Sequence, residues 1–451
     1  MLRTQPIFRR CYALFGCWLL AAGLLAQGPA NPLSLAEALA WGVDNNLSIA
    51  GQRLGVEIAA RNNNWVTAGR APVVLATIGL NNSINSQDNP ASFLNGSFYT
   101  GNATAGLQAS YTLFNGYRVR FTRRQLGQQE LLANQQVRQL VEQSIFDVAQ
   151  AYYTAQLSAE QARTQRRQYD LSRDRLGFEQ LRKEYGQGRS VELLQARSAL
   201  LTDSIATERS MLEVENALRS LYLVLDAAPE RFAGRQLADT LLYEPRAWQY
   251  EQAVRQVDSN ATLRLLRTNE QLALTQTELA RTAFKPSIDL TAGLTHTRTA
   301  FKLSGEDPRT GEDADLVFGS TGQGAVGVQA AYVLFDAGNR RRSVENAIVN
   351  ERVTNLAVRN ARQDAELQLR SLIETYQTQR RLLELQDALI RNAEANLRLA
   401  NEQLQAGTIN SFDYRELQLG YFAAVQQRTQ AVYNLLITDL NLRRLTGELV
   451  R

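Results

Sequence analysis

Cysteine, histidine and methionine are nearly absent from this chain, which has 2 cysteines, 1 histidine and 2 methionines in 451 residues. Both cysteines, Cys11 and Cys17, fall within the first 26 residues. That stretch carries Arg3, Arg9 and Arg10, an apolar run from Cys11 to Leu25 and then the small Ala26, so residues 1–26 read as a secretory signal peptide and the mature chain is expected to start near Gln27. The 15 residues of the apolar run fall short of the roughly 20 that a spanning helix needs. A mature chain without cysteine forms no disulfide and offers no thiolate to a metal or substrate. Leu14-Phe15-Gly16-Cys17 makes a poor lipoprotein box, because Phe15 is bulky and Cys17 comes early, so N-terminal lipidation is not expected.

An excess of charge is also lacking. The formal net charge is +4, from 49 Lys and Arg against 45 Asp and Glu, and loss of the three arginines above lowers it to about +1, which implies no nucleic-acid partner. After Leu25 no unbroken apolar run approaches spanning length. This excludes helical membrane passage but not a β-barrel, whose alternating strands average out in hydropathy. There is no P-loop, no dinucleotide fingerprint and no Cys/His metal cluster, so no catalytic residue, cofactor or metal is expected. His296 ends a predicted strand, and Asp313 and Asp315 read as solvated loop acids rather than a catalytic pair.

What is present is a repeat. Pro72 to Leu80 (PVVLATIGL) matches Pro286 to Leu294 (PSIDLTAGL) at an offset of 214, and Asn46 falls on Asn260 at the same offset. Beyond a variable loop the offset becomes 221, where Gly106 to Phe114 (GLQASYTLF) matches Gly327 to Phe335 (GVQAAYVLF). It then holds until Gly186, Ser190 and Glu192 fall on Gly407, Ser411 and Asp413, as expected of a continuous helix that tolerates no insertion. The chain thus divides into repeat 1 (27–240) and repeat 2 (241–451).

Within each repeat two segments alternate with period two. Ile288, Leu290, Ala292 and Leu294 are separated by polar or small residues, and Val74, Ala76, Ile78 and Leu80 share the corresponding face. Leu107, Ala109, Tyr111 and Leu113 alternate likewise, as do Val326, Val328, Ala330, Tyr332 and Leu334. Strands are therefore predicted at 73–82, 105–114, 287–296 and 325–335, each near the length a tilted strand needs to cross a bilayer. Four strands cannot close a barrel, so they form an open sheet or several chains pool them; three chains would supply twelve.

Proline and glycine are missing where rods are expected. Residues 118–185 hold no proline and only Gly127 and Gly177, and residues 339–406 hold neither. Each predicts a helix (118–185 and 339–406) roughly 100 Å long. Leu369, Tyr376, Leu383, Ile390, Leu397 and Leu404 recur every seventh residue, and Val141, Ile145, Val148, Tyr152 and Ala155 follow a 4-3-4-3 spacing, both coiled-coil seams. Shorter helices are predicted near 33–69, 191–226, 247–284 and 414–446, with an irregular connector between Pro229 and Pro245 at mid-height.

Strand, loop, strand, rod and turn, given twice after a signal peptide, resembles the TolC family of outer-membrane efflux channels. The marks are Pro72 and Pro286 at the strand starts, Leu113-Phe114-Asn115-Gly116 and Leu334-Phe335-Asp336-Ala337-Gly338 at the strand ends, and the helical-hairpin turns Gly186-Gln187-Gly188-Arg189-Ser190-Val191-Glu192 and Gly407-Thr408-Ile409-Asn410-Ser411-Phe412-Asp413. The resemblance implies an α+β membrane protein: a homotrimer with a 12-stranded β-barrel in outer-membrane lipid, continued by an α-helical coiled-coil barrel through the periplasm. It implies a passive exit duct for a tripartite efflux or type I secretion system, fed by an inner-membrane pump through a periplasmic adaptor.

The turn residues Gly186, Gly188, Ser190, Gly407, Thr408 and Ser411 would then meet the adaptor. Asp413 and Glu416, with Glu192, would line the closed aperture. Taken locally, Ser190 and Ser411 can cap the following helices, and Glu192 and Asp413 can answer the positive helix end, so capping and aperture remain alternatives. Leu404 and Ile409 stand where the family's gating tyrosine and arginine are found, so those links are not expected here. A structural coiled-coil or adhesin-like surface protein is the other reading; it accounts for the rods but not for four alternating strands at corresponding positions.

Overall fold

A computed structural model describes residues 32–88, 96–228, 235–303 and 315–449. The expected signal peptide, the lipoprotein-like Cys17, Pro229 and Asp313 lie outside the described residues.

Period-two segments form one antiparallel sheet in the order β1-β2-β3-β4, made of β1 (Val73–Gln87), β2 (Gly96–Asn115), β3 (Ser287–Leu303) and β4 (Val317–Ala331). The strands run 15, 20, 17 and 15 residues, longer than the ten or so predicted. Alternation of apolar residues marks only the part of a strand that carries an apolar face, whereas backbone pairing extends beyond it into largely polar sequence such as Asn81 to Gln87. In the other direction β4 stops at Ala331, short of the predicted 335.

The register brings the apolar residues of all four strands to one face. Val74 pairs with Ala109, Ala109 with Ala292 and Ala292 with Val326; two residues along, Ala76, Leu107, Leu294 and Gly324 form the next row. The opposite face carries Thr77, Thr104, Gln108, Thr291, Thr295 and Gln323. Cross-strand bonds such as Thr112 Oγ1 to the Asp289 carboxylate (2.7 Å) run over it. A bulge between Thr112 and Phe114 adds one residue to β2, so Leu113 leaves the alternation and Phe114 pairs with Ile288 on the apolar face.

Below the sheet the strands run into α1 (Leu35–Asp44), α2 (Leu47–Asn62), α3 (Arg118–Glu184), α4 (Ser190–Val224), α5 (Tyr250–Gln256), α6 (Ala261–Thr282), α7 (Asn339–Gln405) and α8 (Ser411–Leu445). The rods α3 and α7 are each 67 residues, about 100 Å at ~1.5 Å per residue. Near the sheet α2 packs on α3, α3 on α6 and α6 on α7, a single helical layer in the same order as the strands. Toward the turns the pairs are α3 with α4 and α7 with α8.

Two predicted helices are broken. The segment 33–69 divides at Asn46, whose side chain accepts from Ile49 N–H, and ends in a π-helical turn, Val66–Arg70. The segment 247–284 divides at Asn260, whose side chain accepts from Thr262 and Leu263 N–H. Both asparagines cap a helix that starts against the end of another. The Asn260 amide donates to the last carbonyls of α8, Arg444 O at 3.3 Å and Leu445 O at 3.4 Å, and Leu47 N–H reaches the Asp226 carboxylate just past α4 at 3.4 Å. Hence α8 is continued by α6, and α4 by α2, beside the unbroken rods.

The main cores sit at these mid-height junctions. Leu33, Val148, Tyr152, Leu221 and Leu225 form one; Trp248, Val257, Leu263, Leu369, Tyr376, Leu435 and Leu442 form another. Buried tyrosines tie the connector to each rod: Tyr152 Oη lies 2.8 Å from Leu33 O and 2.7 Å from Asp239 Oδ2, and Tyr376 donates to Arg246 O at 2.7 Å. Burial and the Asp239 bond push the Tyr152 phenol well above its ordinary pKa, so it remains a donor.

Candidate aperture at the helical turns

The rods end in two turns that the glycines make possible. Gly186 (φ +73°) and Gly407 (φ +71°) adopt the left-handed conformation that closes a helix C-terminus, with Gln187 N–H bonded to Arg182 O at 2.8 Å and Thr408 N–H to Gln403 O at 2.9 Å. Gly188 is needed for space instead: a Cβ there would lie 2.7 Å from Lys183 N.

Neither serine caps its helix, contrary to the local expectation. Ser190 is the first residue of α4, and Arg189 before it makes no side-chain cap bond. At α8 the cap is Asn410, whose carbonyl oxygen accepts from Phe412 and Asp413 N–H at 2.9 and 2.8 Å. Ser411 lies one residue too far along; it is buried, and its Oγ accepts from Arg175 Nε at 2.7 Å.

The three acids do not share one environment. Glu192 faces back into its own hairpin, where its carboxylate lies 3.5 Å from Arg182, itself 3.4 Å from Glu179. Asp413 is exposed and accepts from Asn410 Nδ2 at 2.7 Å. Glu416 is exposed three residues later on the same face of α8. Leu404 and Ile409 join Ala400, Tyr414, Phe178 and Leu397 in an apolar cluster that seats α8 on the turn end of α3 and α7.

A polar seam missed by the sequence reading lies just behind. Asp203 of α4, almost wholly buried, accepts from Gln168 Nε2 (2.6 Å), from Ser172 Oγ and from Arg415 Nη2 (2.7 Å). Arg415 also donates to Ser172 Oγ and to Gln418 Oε1, both at 2.9 Å. Burial, and then the neighbouring Arg415 charge, lower the Arg175 pKa against the opposing pull of Glu179. The available signal was Gln168, Ser172, Arg175 and Glu179 at 4-3-4 spacing, polar residues occupying coiled-coil seam positions.

Residues 43–226 and 254–448 match the family model described as outer membrane efflux protein. No curated protein matches the chain in a sequence comparison. Among solved structures, the Campylobacter jejuni CmeC outer membrane channel superposes with a TM-score of 0.75 at 17% identity, covering 92% of this chain and 85% of that one. The outer membrane protein VceC of Vibrio cholerae gives 0.75 at 15% identity, covering 92% and 96%. CusC, studied for folding and transmembrane channel formation, gives 0.73 at 17% identity, covering 92% of both chains.

A four-stranded sheet with one apolar face, continued by rod helices that end in tight turns, defines the class as a membrane channel subunit with a long extramembrane stalk. The chain belongs to the outer membrane efflux protein family and is an outer-membrane efflux channel of the TolC type, extending into the periplasm.

Proposed function

We propose that three copies close a 12-stranded barrel in the outer membrane and a helical tunnel below it, each chain contributing two structural repeats (27–240 and 241–451). The observation that carries this reading is the open pair of sheet edges. β1 and β4 each have one partner, are 15 residues long and run antiparallel, so β4 of one copy can pair with β1 of the next. Exposed apolar residues on the helices agree: Leu194, Leu201, Ile205 and Leu212 along α4, and Leu382, Leu385 and Leu389 along α7, are about half or more exposed among the described residues and suit coiled-coil packing against a second copy.

The duct does no chemistry of its own; a periplasmic adaptor would meet the turns at Gly186, Gly188, Ser190, Gly407, Thr408 and Ser411, and an inner-membrane pump would supply energy. Asp413 and Glu416, exposed on one face of α8, are the acids that can ring a narrow opening by threefold symmetry and favour cations. Glu192, held by Arg182, has the lesser part.

Single-channel conductance in planar bilayers tests this, comparing the natural protein with Asp413→Ala/Glu416→Ala with and without millimolar divalent cation. Small, cation-selective currents that the mutations make less sensitive to block are expected. Unchanged currents in the variant would remove these acids from the aperture, and an elongated particle that never conducts would overturn the channel.

A further inference from the structure

Below the apolar face of the sheet stand exposed basic residues to which the exit-duct reading assigns no role. Phe114, re-aimed by the bulge, lies on that face beside Ile288. Its ring meets Tyr117 edge-on at 5.4 Å, and the Lys285 ammonium stands 4.7 Å from the Tyr117 ring centroid. Tyr117 and Lys285 therefore stand at the foot of the apolar face rather than below the polar one. The Lys285 stem packs against the β2–α3 turn so closely that a Cβ on Gly116 would lie 2.6 Å from its own Cβ.

Tyr117 precedes α3, and Arg120 and Arg124, four residues apart, share one side of the first turns that follow it. All four residues are exposed. Among the described residues, Arg120, Arg124 and Lys285 pair with no acid; of the acids at this end of the sheet, Asp336 is engaged by Arg340 at 2.9 Å and Asp289 by Thr112 on the polar face. The motif of a cation on an aromatic ring recurs where the chain enters β1, with Arg70 5.3 Å and Arg123 5.9 Å from the Trp65 centroid.

Height agrees with a membrane boundary. On the apolar face of β3, Ile288 stands at the foot, and ten residues on Arg298 lies 5.7 Å from the Phe318 ring at the top. Ten residues at ~3.4 Å, tilted by about 45°, rise roughly 24 Å, the height of the apolar band of outer-membrane barrels. Aromatic rings at the edge of such a band sit at headgroup level, and unpaired basic side chains beside them attract anionic lipid.

We propose that Tyr117, Arg120, Arg124 and Lys285 form a binding site for the phosphodiester headgroup of an anionic phospholipid in the periplasmic leaflet, one site per subunit around the barrel foot. The proposal rests on the barrel reading above. Lys285 and the two arginines supply the charge, and Tyr117 supplies an apolar ledge beneath the glycerol backbone.

The test is native mass spectrometry of the purified full-length protein exchanged into detergent with equal phosphatidylglycerol and phosphatidylcholine. Retention of phosphatidylglycerol by at least about tenfold over phosphatidylcholine is expected, falling toward parity in Arg120→Gln/Arg124→Gln/Lys285→Gln and unchanged in Arg298→Gln at the far end of the band. Equal retention of the two lipids by the natural protein, or a preference that survives the triple change, overturns the site. Displacement of the lipid by millimolar inorganic phosphate alone would make it a free-phosphate site and equally overturn it. Should the triple variant fail to assemble, the salt dependence of the natural protein decides: a preference that does not weaken as ionic strength rises refutes a charge-based site. Conductance in pure phosphatidylcholine tests the barrel separately, so either idea can fail alone.

Discussion

Arg415 Nη2 lies 2.7 Å from the Asp203 carboxylate, joining α8 to α4 across 212 positions of sequence. Both side chains are largely withdrawn from water, and Ser172 and Gln168 complete the bonding of the carboxylate. Removing one partner leaves a buried charge uncompensated, so Arg415→Met is expected to lower stability by about 3–5 kcal/mol, and adding Asp203→Leu to recover much of it. Denaturant titration of the single and double variants measures this. Equal loss in both would mean that the seam matters through packing rather than charge.

Glu142 gives a pH dependence of defined sign. It is buried on α3 with one carboxylate oxygen unpartnered, and burial raises its pKa above 4.5 despite the lowering influence of Arg138, Arg444 and Arg264. Protonation is therefore easier in the folded than in the unfolded chain. The stability linked to that proton is fully present below pH 4.5 and is lost as pH rises through the folded-state pKa. Glu142→Gln should stabilise at pH 7 by on the order of 1 kcal/mol and have little effect at about pH 4. Melting temperatures of both proteins at the two pH values check it, and a gain confined to low pH would reverse the assignment.

The two turn glycines should respond differently to alanine. At Gly407 there is open space but a left-handed backbone, so Gly407→Ala should cost about 1–2 kcal/mol. At Gly188 the new Cβ meets backbone at 2.7 Å and the turn itself must shift, which should cost as much or more and should loosen amide exchange along 182–192. Hydrogen exchange of that segment, compared between the variants, separates strain from collision.

The two sheet faces can be told apart by charge. Ile78 projects from the apolar face and is 88% exposed in the single chain, so Ile78→Arg should oppose membrane insertion by about 2–4 kcal/mol. Thr77→Arg next to it points to the opposite face, where it should permit insertion and alter ion selectivity. Liposome-insertion yield and reversal potential read the two effects; the opposite outcome would turn the sheet inside out.

Much of this architecture is written in consecutive residues. Period-two alternation from Ile288 to Leu294 is visible without any partner, as are the absence of glycine and proline from 339 to 406 and the glycines that reverse the chain at 186 and 407. Each is a property of the local backbone or of one face of one element. What depended on neighbours was misread or unseen. Ser411 looked like a cap until Asn410 took that role and Arg175 bonded the serine. Glu192 stood as an aperture acid or as a partner of the positive helix end, and its ion pair with Arg182 across the turn was not visible in the sequence.

The sequence by itself determined the strands, the rods and the turns, because hydrophobic period and backbone permissiveness act within a few residues. Only the tertiary structure decided that Leu113 is bulged so that Phe114 and Tyr117 reach the apolar face, that Asn260 joins α8 to α6, and that Asp203 and Arg415 meet. The bulge depends on how β2 pairs with β3, and the other two pairings on how rods of about 100 Å align side by side with the shorter helices. Along such rods, one-residue changes of register exchange every partner, and no local pattern records which register the packing selects.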